Sequence, residues 1–98
     1  MTIDKTKADG KLNIAVGGRL DTTTAPELDA VIKAEIDGVS HLIIDMASLD
    51  YISSAGLRVL LSAQKVMNKQ GDMVVRNAND NIKEIFEVTG FVDILTLE

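Results

Sequence analysis

Asp45-Met46-Ala47-Ser48-Leu49-Asp50-Tyr51-Ile52-Ser53-Ser54-Ala55-Gly56-Leu57 is the stretch that organises the chain. It follows a short apolar run, His41 to Ile44, and leads into a strongly helical one, Leu57 to Asn68. The pattern reads as strand, loop, helix start. Two serines stand where the helix begins. A serine hydroxyl there can accept hydrogen bonds from the free N–H groups of the first turn. The same place suits an anion, because those amides and the positive end of the helix dipole face outward. A plain cap and an acceptor for phosphate are both open at this point.

Working back towards the N-terminus, His41 to Met46 reads as the strand that feeds this loop. Leu42, Ile43 and Ile44 in a row fit a strand covered on both faces. Asp45 stands at its end, where open α/β sheets place working residues. His41 is the sole histidine, and it has no Cys or second His with which to share a metal. Upstream, Leu28, Val31, Ile32 and Ile36 form a stripe at helical spacing. Thr24-Ala25-Pro26-Glu27 opens that helix as a capping box, and Gly38 closes it. Gly17-Gly18 reads as a turn, since the wider spacing of a phosphate-binding glycine motif is absent. Before it, Leu12, Ile14 and Val16 alternate with polar or small residues, the period of a half-buried strand. Asp9-Gly10 joins that strand to a weak edge strand around Ile3 as a hairpin turn.

Working forward, Leu57, Leu60, Leu61, Gln64 and Met67 make one stripe, and Val59, Ala63 and Val66 a second. A helix apolar over so wide an arc should be well buried. Lys69-Gln70-Gly71 stops it, and Asp72 to Arg76 is a short strand. Asn77 to Asn81 is a turn rich in cap residues. Ile82, Ile85 and Phe86 mark a short amphipathic helix ending at Gly90. Val92, Ile94 and Leu97 are left as a last strand or a packed tail. β-helix-β steps need right-handed crossovers, so most of the sheet is expected to be parallel.

Three segments, in chain order, resemble the STAS domains of bacterial anti-sigma factor antagonists. Gly18-Arg19-Leu20-Asp21 through Thr24-Ala25-Pro26-Glu27-Leu28 is similar to the family's Gly-x-Leu-Asp, polar gap and Ala-x-x-Leu. Ile52 to Leu57 is similar to its acidic residue, Ser, small residue, Gly and Leu. Ser54, Gly56 and Leu57 match that form. Ser53 stands where the family often has Asp, and Ala55 where it often has Ser or Thr. Ile82 to Phe91 resembles a third signature, an apolar helix ending in Thr-Gly and an aromatic residue.

The resemblance implies an α/β STAS fold, with a mixed, mostly parallel sheet, an N-terminal β-hairpin and helices packed against it. It implies that Ser54 is phosphorylated by a cognate kinase, with Ser53 as the rival acceptor. It places Asp21 near that serine, on a partner-binding face with Ser53, Ser54, Ala55, Gly56 and Arg58. Asp21 can equally be a carboxylate that caps the next helix. The implied partners are an anti-sigma factor of the histidine-kinase-like ATPase fold, acting as serine kinase, and a metal-dependent PPM-type serine phosphatase. The unphosphorylated chain would bind the anti-sigma factor and free its sigma factor. A scaffold module of a sensory or transport assembly, never phosphorylated, is the alternative within the fold.

The totals bound these readings. Ninety-eight residues are expected to form one domain, 1–98. With 46% apolar residues but only 3% aromatic ones, the core must be aliphatic. A net charge of -5 and a pI near 4.7 give no electrostatic footprint for nucleic acid. No cysteine means no disulfide and no thiolate metal site. No apolar run approaches the roughly 18 residues that span a bilayer, so a cytoplasmic protein is expected. Neither serine has a His or Cys partner, so catalysis is not expected, nor is a cofactor or metal. A switch of this kind need only be a monomer.

Overall fold

A computed structural model describes residues 1–98. Asp9 and Gly10 turn the chain with φ of 52° and 79°, the left-handed pair that a type I′ hairpin requires. This turn joins β1 (Thr2–Ala8) to β2 (Lys11–Leu20), which pair antiparallel. Then follow α1 (Ala25–Glu35), β3 (His41–Ile52), α2 (Ser54–Gln70), β4 (Asp72–Arg76) and α3 (Asp80–Thr89). A 3-10 turn, Phe91–Asp93, leads to β5 (Thr96–Leu97). The sheet order is β1-β2-β3-β4-β5, and every pair after the hairpin is parallel. The fold is thus the mixed, mostly parallel sheet with an N-terminal hairpin that the sequence leads one to expect.

The three crossovers all step the same way along the sheet. With the right-handed twist that such connections take, this puts α1, α2 and α3 on one face. Burial follows. Leu12, Ile14 and Val16, Leu42, Ile44 and Met46, and Met73 and Val75 join Leu28, Ile32, Leu57, Leu60, Met67, Ile82 and Phe86 in one core. The other face is open, against the expectation of cover on both sides. It carries Lys11, Asn13, His41, Asp45, Asp72 and Arg76, mostly polar. Ile43 lies on that open face yet is only 6% exposed. Its strand neighbours Asn13 and Val74 shield it.

Three local expectations change. Gly17-Gly18 is no turn: both glycines lie inside β2. Second, β3 does not stop at Met46. It runs on to Ile52, so the expected loop is a strand arm paired with β2 alone. Two register shifts, between Ala15 and Gly17 and between Gly18 and Arg19, each insert one extra residue on β3. Such bulges bend and twist the strand. Third, of the three tail residues only Leu97 joins a last strand and packs on the core; Val92 and Ile94 are each 43% exposed, and Leu95 is buried instead.

Candidate functional site

The register sets the site. Leu20 pairs with Ile52 at the far end of β2 and β3, and the Ser53 N–H donates to the Leu20 carbonyl at 2.8 Å. The loop after β2 and the start of α2 therefore lie side by side. Asp21, Ser53 and Ser54 come together there from separate parts of the chain. Asp45 does not join them. It lies seven residues up β3 from Ile52, where its carboxylate accepts from the Ala47 N–H and the Asn77 side-chain amide.

Asp21 organises its loop. Its Oδ1 accepts from the Thr23 hydroxyl at 2.8 Å, the Thr23 N–H at 3.0 Å and the Thr24 N–H at 3.2 Å. The Thr23 hydroxyl is the largest of the influences that hold this carboxyl below its ordinary pKa; partial burial opposes it, and the Thr23 and Thr24 backbone bonds add to it. The capping box does not form. Thr24 makes no side-chain cap bond to α1. Its hydroxyl donates instead to the Arg19 carbonyl at 2.7 Å and accepts from the Asp21 N–H at 2.8 Å. The Asp21 carbonyl takes the Ala25 N–H at 2.8 Å. The helix entry is thus held by Asp21 and not by a Thr24–Glu27 pair.

The two serines differ sharply. Ser53 is the N-cap of α2, in extended conformation, but its hydroxyl caps nothing. That hydroxyl is buried and has no hydrogen-bond partner, contrary to the capping role expected of it. Ser54 is the first residue of α2 and is exposed. The first helical bond runs from the Leu57 N–H to the Ser53 carbonyl at 3.0 Å. The N–H groups of Ser54, Ala55 and Gly56 precede it and have no partner within the helix. Arg58, one turn on, is exposed. Ala55 is half-buried and packs on the core.

Gly56 faces inward. A Cβ on it would lie 2.7 Å from Leu20 Cγ and 2.8 Å from Ile52 Cγ1. It lets α2 sit close on the strand ends. The close approach is thus to the core, although the resemblance places Gly56 on the partner-binding face.

Sequence reasoning missed one pair. Arg19 and Tyr51 oppose each other across β2 and β3, and the guanidinium stands 4.3 Å from the ring centroid. Arg19 lies within the Gly18-Arg19-Leu20-Asp21 segment, but the bulged register that brings Tyr51 opposite it has no sequence signal.

The chemistry of the site is that of a hydroxyl acceptor beside free amides. No group of three or more His, Cys, Asp or Glu is placed to hold a metal. His41, on the open sheet face, pairs with Asp72 at 2.6 Å, away from both serines. The shallow depressions also lie on the open face, around Asp4, Gly17, Asp45 and Ser48 and around His41 and Asp72. None is lined by Ser53 or Ser54, so the site is a surface and not a cleft. No helix is long and apolar enough to cross a membrane.

Comparison with known proteins agrees with this architecture. The family model of the STAS domain matches residues 2–98. BtrV of Bordetella bronchiseptica, assigned as an anti-sigma factor antagonist, is 49% identical over 47 residues. That stretch covers 47% of this chain and 40% of the relative's length. The crystal structure of an anti-sigma factor antagonist from Mycobacterium paratuberculosis superposes with a TM-score of 0.89 at 26% identity, covering 98% of this chain and 83% of that one. SpoIIAA of Bacillus, in its phosphorylated form, shares the fold with a TM-score of 0.77 at 17% identity, over 99% of this chain and 91% of that one.

Proposed function

The chain belongs to the STAS domain family, and from that premise we propose that it is an anti-sigma factor antagonist, residues 1–98 forming one STAS domain. In this reading it has no catalysis of its own and works in the cytoplasm as a monomer. Unphosphorylated, it binds an anti-sigma factor that is also a serine kinase of the histidine-kinase-like ATPase fold. Phosphorylation of Ser54 releases that partner, and a PPM-type phosphatase restores binding. The names of the Bordetella and Mycobacterium relatives support the antagonist role.

The observation that carries the reading is the contrast between the serines. Ser54 is exposed at the first position of α2, whereas the Ser53 hydroxyl is buried. A kinase can reach the first without disturbing the fold. The phosphate would add about -1.5 to -2 charges at pH 7. Free amides and the helix dipole favour it there, and Arg58 lies within one turn. The fold therefore has no reason to yield, and the effect falls on the interface. A partner carboxylate about 4 Å from the phosphate is repelled by roughly 4 kcal/mol per unit charge at an effective dielectric of 20. That is near a thousandfold in affinity, at about 1.4 kcal/mol for each tenfold.

The test is kinase treatment of wild type, Ser53→Ala and Ser54→Ala side by side, with the label mapped by mass spectrometry. Label on wild type and Ser53→Ala but not on Ser54→Ala is expected. Ser54→Asp should lose the partner and keep its circular-dichroism spectrum. Label that persists in Ser54→Ala moves the switch to Ser53. No label on wild type favours the unphosphorylated scaffold.

A further inference from the structure

Arg19 differs from Arg58, the other guanidinium at the site, in being held over an aromatic ring. Its guanidinium is held over the Tyr51 ring at 4.3 Å, well within the range of cation–π attraction. The stack is built on two paired strands, a firmer base than a loop. The guanidinium donates no hydrogen bond within the chain. It forms an ion pair with Asp21, whose Oδ2 lies 3.7 Å from Nε, but that distance is too long for a hydrogen bond. Arg76 shows the contrast, since Glu98 already occupies its fork. The Arg19 side chain is 62% exposed and Tyr51 38%. A planar donor edge, fixed by a ring and open to solvent, suits a carboxylate bound in bidentate fashion. Arg and Tyr are also residue types on which interface energy concentrates.

We propose that the Arg19–Tyr51 stack seats a carboxylate, an Asp or Glu side chain, of the protein partner that docks at Ser54. This deepens the function proposed above and rests on it. Leu20, between Arg19 and Asp21, accepts the Ser53 N–H, so the stack lies at the same end of the sheet as Ser54, with Arg19 and Tyr51 on the face opposite the buried Leu20 and Ile52. A partner that covers this end of the sheet meets both the stack and Ser54.

The experiment titrates the kinase that labels wild type against unphosphorylated wild type, Arg19→Ala, Arg19→Lys, Tyr51→Phe and Tyr51→Leu, by calorimetry at two salt concentrations. Melting curves confirm that each variant is folded. Arg19→Ala and Tyr51→Leu should each weaken binding at least tenfold. Arg19→Lys should weaken it several-fold, because an ammonium lacks the planar fork. Tyr51→Phe should stay within twofold, because the ring is kept. Arg19→Glu should be rescued by changing one interface acid of the partner to Arg. Binding of Arg19→Ala within twofold of wild type overturns the proposal and leaves the functional reading standing. Absence of any such kinase that binds wild type overturns both.

Discussion

The Ser53 N–H donates to the Leu20 carbonyl at 2.8 Å. One backbone bond thereby ties the start of α2 to the end of β2, two segments more than thirty residues apart. It also sorts the serines. Ser53 is spent on the strand-like contact and its hydroxyl is buried, while Ser54 begins the helix in the open. Four consequences can be measured.

Ser53→Ala should leave stability unchanged or raise it by up to about 1 kcal/mol. The hydroxyl is buried without a partner, and removing such a group relieves a desolvation cost. A working serine cap would give the opposite sign, a loss of about 0.5–2 kcal/mol. Urea denaturation distinguishes the two, and a loss in that range would return Ser53 to the cap.

Gly56→Val should unfold the protein more easily, by about 1–3 kcal/mol, the usual cost of overpacking. The new side chain would press on Leu20 and Ile52. Both are fully buried and have nowhere to retreat. The resemblance places Gly56 on a partner-binding face, whereas its Cβ position points at the core. A variant with wild-type stability and lost partner binding would return Gly56 to the partner-binding face.

Gly71 and Gly38 both follow helices, but they should behave differently. A Cβ on Gly71 would lie 1.9 Å from the Ser40 carbonyl oxygen, a backbone atom. Gly71→Ala should therefore cost about 3 kcal/mol or more, in the range of severe packing defects. Gly38 has a φ of +77° with open space around it. Gly38→Ala should cost only the left-handed penalty, about 1–2 kcal/mol. Equal losses in parallel denaturation curves would contradict the close approach at Ser40.

Asp21→Asn should become harmless as the pH falls. Hydrogen bonds from Thr23 and Thr24 bind the ionised carboxylate and lower its pKa. A carboxyl with a depressed folded pKa contributes fully above its unfolded value of about 3.9, and loses that contribution as pH falls through the folded value. The gap in denaturation midpoint between wild type and Asp21→Asn should be widest near about pH 7 and shrink towards about pH 3. A gap that stays constant would mean that the loop does not discriminate the charged form.

Much of this was written locally. The Asp9-Gly10 hairpin needs only two residues that accept positive φ, and it is where the sequence puts it. The inward sets Leu12-Ile14-Val16 and Leu28-Ile32-Ile36 follow the periods of strand and helix. Asn79 caps α3 with its own side chain, and Gly90 ends that helix in the left-handed conformation. Each depends on neighbours within a turn or so, and those are visible in a sequence.

The tertiary structure decided the rest. Beyond Met46 the next buried residues of β3 are Leu49 and Ile52, spaced by three because of the bulges. A bulge exists only as a mismatch with a partner strand, so that stretch read as a loop. Whether Ser53 caps or is buried depends on Leu20, and whether Gly56 faces a partner or the core depends on Leu20 and Ile52. Arg19 meets Tyr51 only through the shifted pairing of β2 and β3. Period and propensity act along the chain and can be read from it. The candidate site is made where two separate segments meet, and the free energy of that meeting belongs to contacts that no single segment contains.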